Sequence, residues 1–526
     1  MRTVVVDGGP LRLDDVVAVA RGEAGAELAP GVAGRMALTR NVVRDAVDRG
    51  LVMYGVTTGF GALADTRIPR ADLERMQLSL LRSHAAASGA PLGDAVVRAL
   101  LLLRARTLAA GISGVRVDLP ARLLDLLNRG LLPVIPGKGS VGASGDLAQL
   151  AHLALPLVGE GRLRRGGDAD LRGRPAPELL AEEGLEPLAL GPKEGLSLIN
   201  GTEPMQALLC LAIDDAELLT KAADVACAMS LDALLGTDRA YDPRVVEIRP
   251  QPGQQDSAAN LRALLAGSGL LASHRHDTAH AVQDSYCVRC APQVHGAVRD
   301  LVAHARRVAE AELAAVVDNP VIVLRPEAAA GSQEPDDYEV MSTGNFHGEP
   351  LAFAADAMAM AVAELGSISE RRTDRMLDPA FSRGLPAFLA ADPGTNSGYM
   401  IAQYTAASLV SENKVLAHPS SVDTIPTSGN QEDHVSMGWT SCRKLHDVLA
   451  NVRTVLAVEL VCAAQGLDFR AGTGVPSPAV GAVQARLRAE VPTMVVDRTV
   501  HDQIAAAERL IPDLVAAAES AAGPLR

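Results

Sequence analysis

The sequence has 526 residues, of which 48% are hydrophobic and only 2% aromatic, and its formal net charge is −14. This composition supplies enough apolar residues for a large core and excludes a mainly disordered chain. The negative charge argues against nucleic acid and anionic membrane surfaces as partners and favours a small-molecule enzyme.

The N-terminal part of the sequence mixes short strands with helices. Residues 3–6 and 11–13 predict strands on either side of an Asp-Gly-Gly turn, and residues 14–21 and 94–110 have helical periodicity. Residues 161–175 are rich in Gly and Arg and show no periodicity, so they predict a surface loop or hairpin.

From about residue 196 the sequence changes to long helical patterns. These cover residues 206–235, 296–317, 352–371, 400–417, 440–466 and 499–520. Strand-like residues 321–324 and 338–341 flank a polar insertion that predicts a hairpin loop. A helix of about 27 residues is roughly 40 Å long. We therefore predict a mainly α fold, with a long-helix bundle and C-terminal helical region over residues 196–526 and a smaller mixed α/β region over residues 1–195.

No membrane span, signal peptide, disulfide framework or metal site is predicted. The apolar stretches 208–219 and 351–365 contain acidic residues and are shorter than a membrane span. The first nine residues become polar too early for a secretion signal, so we expect a cytoplasmic protein. Cys287 and Cys290 form a C-x-x-C without a second ligand pair, which favours two small apolar residues over metal or redox use.

The tripeptide Ala143-Ser144-Gly145 lies between a glycine-rich turn and an apolar helix. No standard side chain is an electrophile, so activating a poor leaving group requires a metal, a cofactor or a modified backbone. Gly145 has no Cβ, and its amide nitrogen can be driven onto the Ala143 carbonyl in a strained turn. Loss of water from that ring and from the Ser144 hydroxyl would leave a methylidene-imidazolone. The segment therefore predicts a loop that makes its own electrophilic prosthetic group.

Two other interpretations of this segment stay open from these residues alone. Residues 137–142 match G-x-G-x-x-G after the apolar run 131–135, although a dinucleotide site also needs a helix that opens inside the motif. Pro136 precedes the glycines, and the helical pattern begins only near Asp146. The other interpretation is a flexible loop in which Asp146 caps that helix.

Polar segments recur in glycine-rich settings for which a buried helical bundle has no structural need. They are residues 54–61, 82–85, 200–202, 283–290, 344–350 and 427–434. Taken singly, Tyr54 is more often a core tyrosine and Arg289 a surface ion pair. His84 alone indicates a helix end, and Glu432 alone a solvated acid. In combination they indicate one active site.

Together with Ala143-Ser144-Gly145, these segments resemble the aromatic amino acid ammonia-lyase family over about residues 54–469. The resemblance implies a methylidene-imidazolone that forms autocatalytically from these three residues, with no external cofactor. It also implies a mostly helical fold and a homotetramer whose active sites combine residues from several subunits.

The resemblance also implies roles for individual residues. Tyr54 is expected to remove the substrate β-proton, and Arg289 to grip the substrate carboxylate through two parallel hydrogen bonds. Asn200 and Tyr286 match positions that hydrogen-bond the prosthetic group and the substrate, and Gln283 belongs to the same segment as Tyr286. Whether the electrophile captures the amino group or the aromatic ring stays open.

Substrate choice depends on a second set of residues. Phe346 is expected to line the aromatic slot, whereas His84, Met400 and above all Glu432 resemble the histidine-specific members. Phenylalanine and tyrosine members usually have Gln at the position of Glu432, and a carboxylate can accept a hydrogen bond from an imidazole N–H. The expected reaction is therefore elimination of ammonia from L-histidine to give urocanate, the first step of histidine degradation.

Alternative functions are a tyrosine or phenylalanine ammonia-lyase or aminomutase with the same prosthetic group, or a catalytically silent nucleotide-binding or scaffolding relative. The intact Ser144, Tyr54 and Arg289 argue against the silent relative. The sequence departs from the family pattern at Gln149, at Glu203-Pro204 and at Cys287.

Overall fold

The computed structural model describes residues 2–277 and 283–526, and its secondary structure is mostly helical. The predicted mainly α fold class is therefore confirmed. The helices in chain order are α1 (Leu13–Ala20), α2 (Val32–Asp48), α3 (Leu73–His84), α4 (Asp94–Ala109), α5 (Asp118–Asn128), α6 (Leu147–Ala154), α7 (Ala176–Glu182), α8 (Glu194–Ile199), α9 (Glu203–Ala233), α10 (Pro243–Val246), α11 (Pro252–Leu265), α12 (Gly269–His274), α13 (Tyr286–Arg289), α14 (Ala291–Ala314), α15 (Glu349–Leu377), α16 (Met400–Leu416), α17 (Gly438–Phe469), α18 (Pro478–Arg488) and α19 (Val500–Ala522).

The strands are short and form small separate sheets. They are β1 (Arg2–Val6), β2 (Ala24–Leu28), β3 (Ser88–Pro91), β4 (Leu131–Pro133), β5 (Pro136–Lys138), β6 (Arg162–Arg165), β7 (Arg174–Pro175), β8 (Val321–Leu324) and β9 (Tyr338–Met341). The antiparallel pairs β6–β7 and β8–β9 confirm the two hairpins that the sequence predicted.

The predicted strand over residues 11–13 is wrong. The parallel partner of β1 is β2, and the chain between them forms α1, which starts at Leu13. Asp14 and Asp15 lie in the first turn of α1, where negative charge stabilises the positive end of the helix dipole. The short apolar run therefore continues into the buried face of a helix.

The chain divides into two compact units. The first comprises residues 1–211, 306–355 and 419–443, and the second comprises residues 212–305, 356–418 and 444–526. The boundary between residues 195 and 196 that the sequence suggested stays a prediction.

In the first unit, α3, α6 and α8 pack against one another. His84 is the last residue of α3, Ser144 lies three residues before α6, and Asn200 directly follows α8. The packing of three short helices thus determines where these polar residues lie.

In the second unit, a buried ion pair links the long helices α15 and α17. Arg372 donates from Nη2 to Oε2 of Glu459 at 2.8 Å, and both side chains are fully buried. The hydroxyls of Ser230 and Ser369 donate to the same carboxylate at 2.7 and 2.6 Å. These contacts compensate the buried carboxylate, and Arg372 Nη1 also donates to the Cys287 carbonyl and lies 3.3 Å from Nε2 of the buried His295.

One helix in the described residues, α15, is long and apolar enough to cross a membrane by length and composition, and 67% of its apolar window is buried. Within this helix, Asp356 is buried and pairs with Lys444, with Oδ1 2.6 Å from Nζ. A core helix passes the same test of length and composition, so α15 is weak evidence for a membrane span.

We expect Glu459→Gln to destabilise the second unit, because it leaves the Arg372 guanidinium buried without a counter-charge. Removing one partner of a buried pair typically costs about 3–5 kcal/mol. A urea titration followed by circular dichroism measures the loss. The control is Glu490→Gln, which removes an exposed partner of Arg486 and is expected to cost at most about 1 kcal/mol. Equal midpoints for the two variants would contradict a structural role for the buried pair.

Candidate active site

A cavity of about 420 Å³ in the first unit contains five of the residues predicted from the sequence. Tyr54, His84, Ser144, Asn200 and Glu432 all line it. Its remaining wall is largely apolar and includes Phe60, Met76, Leu80, Leu147, Leu196 and Ile199. The cavity therefore combines an apolar slot with a few polar groups, which is typical of a small-molecule site.

The turn that carries Ser144 has a backbone conformation that residues with a side chain rarely adopt. Ser144 and Gly145 have φ angles of +50° and +73°. A Cβ on Gly145 would lie 1.9 Å from the carbonyl oxygen of Gly201, which also accepts a 2.9 Å hydrogen bond from the Asp146 amide. Only glycine fits at position 145, because any side chain would displace the Gly201 backbone.

The surroundings of this turn do not match a dinucleotide-binding motif. Strand β5 pairs antiparallel with β3, and α6 begins at Leu147, well after the glycines. The dinucleotide motif needs a parallel strand, a turn and a helix that opens within the glycines. The G-x-G-x-x-G match at residues 137–142 is therefore a coincidence of composition.

Asp146 connects the turn to another helix and does not cap its own. Its Oδ1 accepts from the Ser140 hydroxyl at 2.5 Å, and its Oδ2 accepts from the Met205 amide in the first turn of α9 at 3.0 Å. Among the described residues, Asp146 makes no side-chain cap bond to α6, so the alternative interpretation as a loop in which Asp146 caps that helix is wrong. Burial raises the pKa of Asp146 to about 7, although these two hydrogen bonds oppose the shift.

A buried arginine holds the segment that faces the turn. Arg104 in α4 is fully buried and donates to Glu203 Oε1 at 2.8 Å, to the Asn200 carbonyl at 3.1 Å and to the Ser197 carbonyl. This contact accounts for Glu203, which departs from the family pattern. Sequence reasoning missed Arg104, although a charged residue within the Leu-rich run of α4 was an available signal.

Asn200, which lines the cavity, has one unpaired side-chain acceptor. Its Nδ2 donates to the Asn319 carbonyl at 2.9 Å, whereas its buried Oδ1 has no hydrogen-bond partner among the described residues. A buried unpaired acceptor is costly unless a bound molecule satisfies it. Ser144 lines the same cavity, and Ala143 and Gly145 are buried behind it. Ser144 thus faces the cavity from a turn with positive φ angles while its two neighbours are buried, which fits the prosthetic group that the tripeptide predicts.

Glu432 is held in the cavity wall by a narrow turn. The Thr427 hydroxyl donates to Glu432 Oε2 at 2.7 Å, and the backbones of these two residues pair with each other. Between them, Ser428, Gly429 and Asn430 all have positive φ angles. The other carboxylate oxygen has no hydrogen-bond partner among the described residues. Thr427 was not among the predicted site residues, although it belongs to the polar segment 427–434.

His84 adds a second acceptor to the cavity. Its Nδ1 lies 3.0 Å from the Leu80 carbonyl, which can only accept, so Nδ1 carries the proton and Nε2 keeps its lone pair. Burial lowers the pKa of His84, against the opposing effects of the Leu80 carbonyl and the charge of Glu432. A neutral His84 and Glu432 thus provide two acceptors in the same cavity, which suit an imidazolium ring, since both of its nitrogens carry a proton.

The Tyr54 hydroxyl is fixed by the backbone of its own loop, because its oxygen accepts from the Gly61 amide at 3.1 Å. Gly55 has φ +67°, and a Cβ there would lie 2.4 Å from Leu196 Cδ2. The loop also contacts the turn of Glu432, since the Ala62 amide donates to Ser428 Oγ at 3.4 Å. Tyr54 and Glu432 are therefore positioned by adjoining loops.

The other predicted residues are not among those that line this cavity. Phe346 belongs to the first unit, whereas Gln283, Tyr286, Arg289 and Met400 belong to the second. There Arg289 donates to Gln283 Oε1, and its guanidinium lies 5.0 Å from the centre of the Tyr286 ring. The Tyr286 side chain is 72% exposed.

Sequence similarity to known proteins extends along the whole chain. The profile of the family described as aromatic amino acid lyases matches residues 11–489. Histidine ammonia-lyase of Anaeromyxobacter dehalogenans is 50% identical over 516 residues, covering 98% of this chain and 99% of the relative. Histidine ammonia-lyase of Streptomyces avermitilis is 48% identical over 528 residues, covering 100% of each chain.

Two solved structures show the same fold. The crystal structure of histidine ammonia-lyase from Trypanosoma cruzi is similar with a TM-score of 0.87 and 39% identity, covering 100% of this chain and 96% of that one. Tyrosine aminomutase from Streptomyces globisporus has a TM-score of 0.91 and 36% identity, covering 100% of both chains. Similarity of fold therefore does not distinguish between the ammonia-lyase and the aminomutase activities of these two proteins.

We expect Gly145→Ala to disrupt the turn, because its Cβ would overlap the Gly201 carbonyl and the backbone angle is unfavourable for alanine. The backbone angle alone costs roughly 1–3 kcal/mol. Thermal unfolding of the purified variant measures the loss. Gly93→Ala is the matched control, since a Cβ there meets nothing within 4 Å. A Gly145→Ala protein as stable as this control would contradict the close contact with Gly201.

Proposed function

The chain belongs to the family of aromatic amino acid lyases, and from this premise we propose that it eliminates ammonia from L-histidine to give urocanate, the first step of histidine degradation. As a member of this family it is a carbon–nitrogen lyase. The observation that carries the choice of substrate is the pair of acceptors, His84 and Glu432, in the cavity that Ser144 lines. We further propose that the enzyme works in the cytoplasm.

The electrophile that we propose is a methylidene-imidazolone, formed autocatalytically from Ala143, Ser144 and Gly145 without an external cofactor. Once formed, it supplies an electron-poor methylene that activates the substrate for loss of ammonia. The positive φ angles at Ser144 and Gly145 and the lack of room for a Cβ at Gly145 support this assignment. All of its atoms come from the chain itself.

We assign substrate binding and proton transfer to different side chains of the cavity. Asn200 Oδ1 is free to accept a hydrogen bond from the substrate amino group, and His84 and Glu432 bind the imidazole ring. Tyr54, whose oxygen is held by the Gly61 amide, takes the β-proton. The apolar wall of the cavity excludes water from the reacting atoms and strengthens these polar contacts.

The substrate carboxylate needs a cation, and neither Lys nor Arg is among the described residues that line the cavity. We propose that Arg289 supplies it from another subunit of a homotetramer, together with Gln283, Tyr286 and Met400. The exposed apolar side chains of α15 and α16 support assembly. Examples are Phe353, Met360, Ile401 and Tyr404, which are about half exposed or more. Phe346 stays a predicted aromatic contact.

The second candidate is a tyrosine or phenylalanine ammonia-lyase or aminomutase, which the similarity to tyrosine aminomutase favours. It would use the same prosthetic group and the same Tyr54. A phenyl ring has no hydrogen-bond donor and a phenol ring has one O–H, so either leaves the acceptors of His84 and Glu432 with fewer donors than an imidazolium ring does. The histidine reaction therefore fits this cavity better.

We expect Glu432→Gln to lower kcat/KM for histidine by about thirty-fold to a thousand-fold, because losing a charge-assisted hydrogen bond in a buried site costs roughly 2–4 kcal/mol. Ultraviolet monitoring of product formation with histidine, tyrosine and phenylalanine in parallel measures the effect. The matched control is Asp433→Asn, which neutralises an exposed acid next in sequence. A histidine rate within about two-fold of wild type, or higher wild-type activity on tyrosine than on histidine, would contradict the proposed substrate.

We expect two inactive variants to complement each other if active sites are shared between subunits. Ser144→Ala chains keep Arg289, and Arg289→Ala chains keep Ser144, so mixed tetramers contain some complete sites. The two variants are co-expressed with different affinity tags, purified through both tags and assayed with histidine. Activity well above that of either variant alone is expected, together with a tetramer mass by light scattering. Inactive mixed tetramers or an active wild-type monomer would refute shared sites.

A further inference from the structure

Three residues that have no role in the proposed reaction form a cluster in the first unit. His347, Glu349 and His434 each offer one ligand atom, and these atoms all lie within 4.8 Å of one another. His347 directly precedes the Gly348 turn at the start of α15, and Glu349 is the first residue of that helix. His434 lies two residues after Glu432 and is exposed.

The hydrogen bonds of His347 leave one ring nitrogen with a lone pair. Nε2 lies 3.3 Å from the His434 carbonyl, which can only accept, so Nε2 donates. Nδ1 faces the Glu349 amide at 3.4 Å and therefore accepts. The same Nδ1 lies 4.0 Å from Glu349 Oε2. Among the described residues, the lone pair of Nδ1 therefore has the long hydrogen bond from the Glu349 amide as its one contact, and the Glu349 carboxylate lies across a gap too wide for a hydrogen bond.

The carboxylate of Glu349 lacks a partner at this gap. Its Oε2 is buried and has no hydrogen-bond partner among the described residues. A buried carboxylate oxygen without a donor is costly, and a cation between Oε2 and Nδ1 would satisfy both atoms. This unpartnered oxygen is the observation that points to a ligand.

The His347–Gly348–Glu349 turn is closely packed, whereas the His434 side chain is exposed. A Cβ on Gly348 would lie 2.4 Å from Met205 Cε and 3.2 Å from Ser436 Oγ, so the turn packs closely against its neighbours. The His434 ring is stacked on the His347 ring, with centroids 5.7 Å apart and planes 7° apart. Ligand atoms around one zinc ion lie about 3.4 Å apart. Rotation of the exposed His434 side chain, together with a rotation of the Glu349 side chain that brings Oε2 closer than its present 4.0 Å from Nδ1, supplies the required contraction.

We propose that His347, Glu349 and His434 bind one divalent transition-metal cation. Two imidazole nitrogens and one carboxylate oxygen suit Zn²⁺ or Co²⁺, whereas Mg²⁺ and Ca²⁺ prefer oxygen ligands alone. Three protein ligands leave a fourth position for water. The bound cation cross-links the segment that carries Glu432 to the start of α15. This inference goes beyond the proposed function and does not depend on it.

The test measures binding of the metal alone to the purified full chain, without substrate. The protein is stripped with a chelator, dialysed and titrated with ZnCl2 by calorimetry, and separately with CoCl2 by visible absorption. We expect one Zn²⁺ per chain and Co²⁺ bands typical of nitrogen and oxygen ligands. MgCl2 is expected to give no saturable binding.

Variants identify the ligands. Glu349→Gln keeps the size of the side chain, and His347→Ala and His434→Ala remove the ring nitrogens. Each is expected to weaken Zn²⁺ binding by about ten-fold or more, whereas His304→Ala, which removes an exposed histidine of α14, leaves it unchanged. No saturable Zn²⁺ binding to wild type would overturn the proposal and would indicate a plain imidazolium–carboxylate pair. Equal affinity in wild type and all three variants would overturn it as well. Neither result bears on the proposed reaction, because no turnover is measured.

Discussion

Gly145 contacts the Gly201 carbonyl with no room for a side chain, and the rest of the site depends on this contact. The Gly201 segment is in turn held by Arg104, a fully buried cation whose partners are Glu203 and two backbone carbonyls. A buried guanidinium tolerates few alternative arrangements, because losing a partner leaves a charge without compensation. The core of the first unit therefore fixes the backbone of the Gly201 segment, against which the Ala143–Gly145 turn packs.

The same packing determines the polarity of the cavity. The helices α3, α6 and α8 lie against one another, so that the end of α3, the start of α6 and the end of α8 contribute to one cavity. Most of its wall is apolar, and the polar groups His84, Glu432 and Asn200 present acceptors. Such a cavity favours a ligand with several N–H donors, as both the imidazole ring and the amino group of histidine have.

Much of this could be predicted from the sequence. Long periodic helices and the two hairpins were predictable because their patterns are local, and Ser144, Tyr54 and Glu432 could be found because their motifs are contiguous. Residues 11–13 were wrongly predicted as a strand, since a three-residue apolar run does not distinguish a strand from a helix start. The partners of Arg104 and Asp146 depend on contacts over about 60 to 100 residues, which no local pattern contains. Arg289 does not line the cavity, and in the assembly that we propose it binds the substrate carboxylate in the site of another subunit.

The central claim is that the turn at residues 143–145 is converted into an electrophile, and peptide mass spectrometry tests it most directly. Purified wild-type protein is digested, and the mass of the peptide that contains Ala143, Ser144 and Gly145 is compared with the mass of the same peptide from Ser144→Ala. We expect a deficit of two water molecules, confined to this peptide in wild type. We also expect Ser144→Ala, which cannot form the methylene, to lose several orders of magnitude in turnover. An unmodified peptide in fully active enzyme would show that no electrophile forms from this turn.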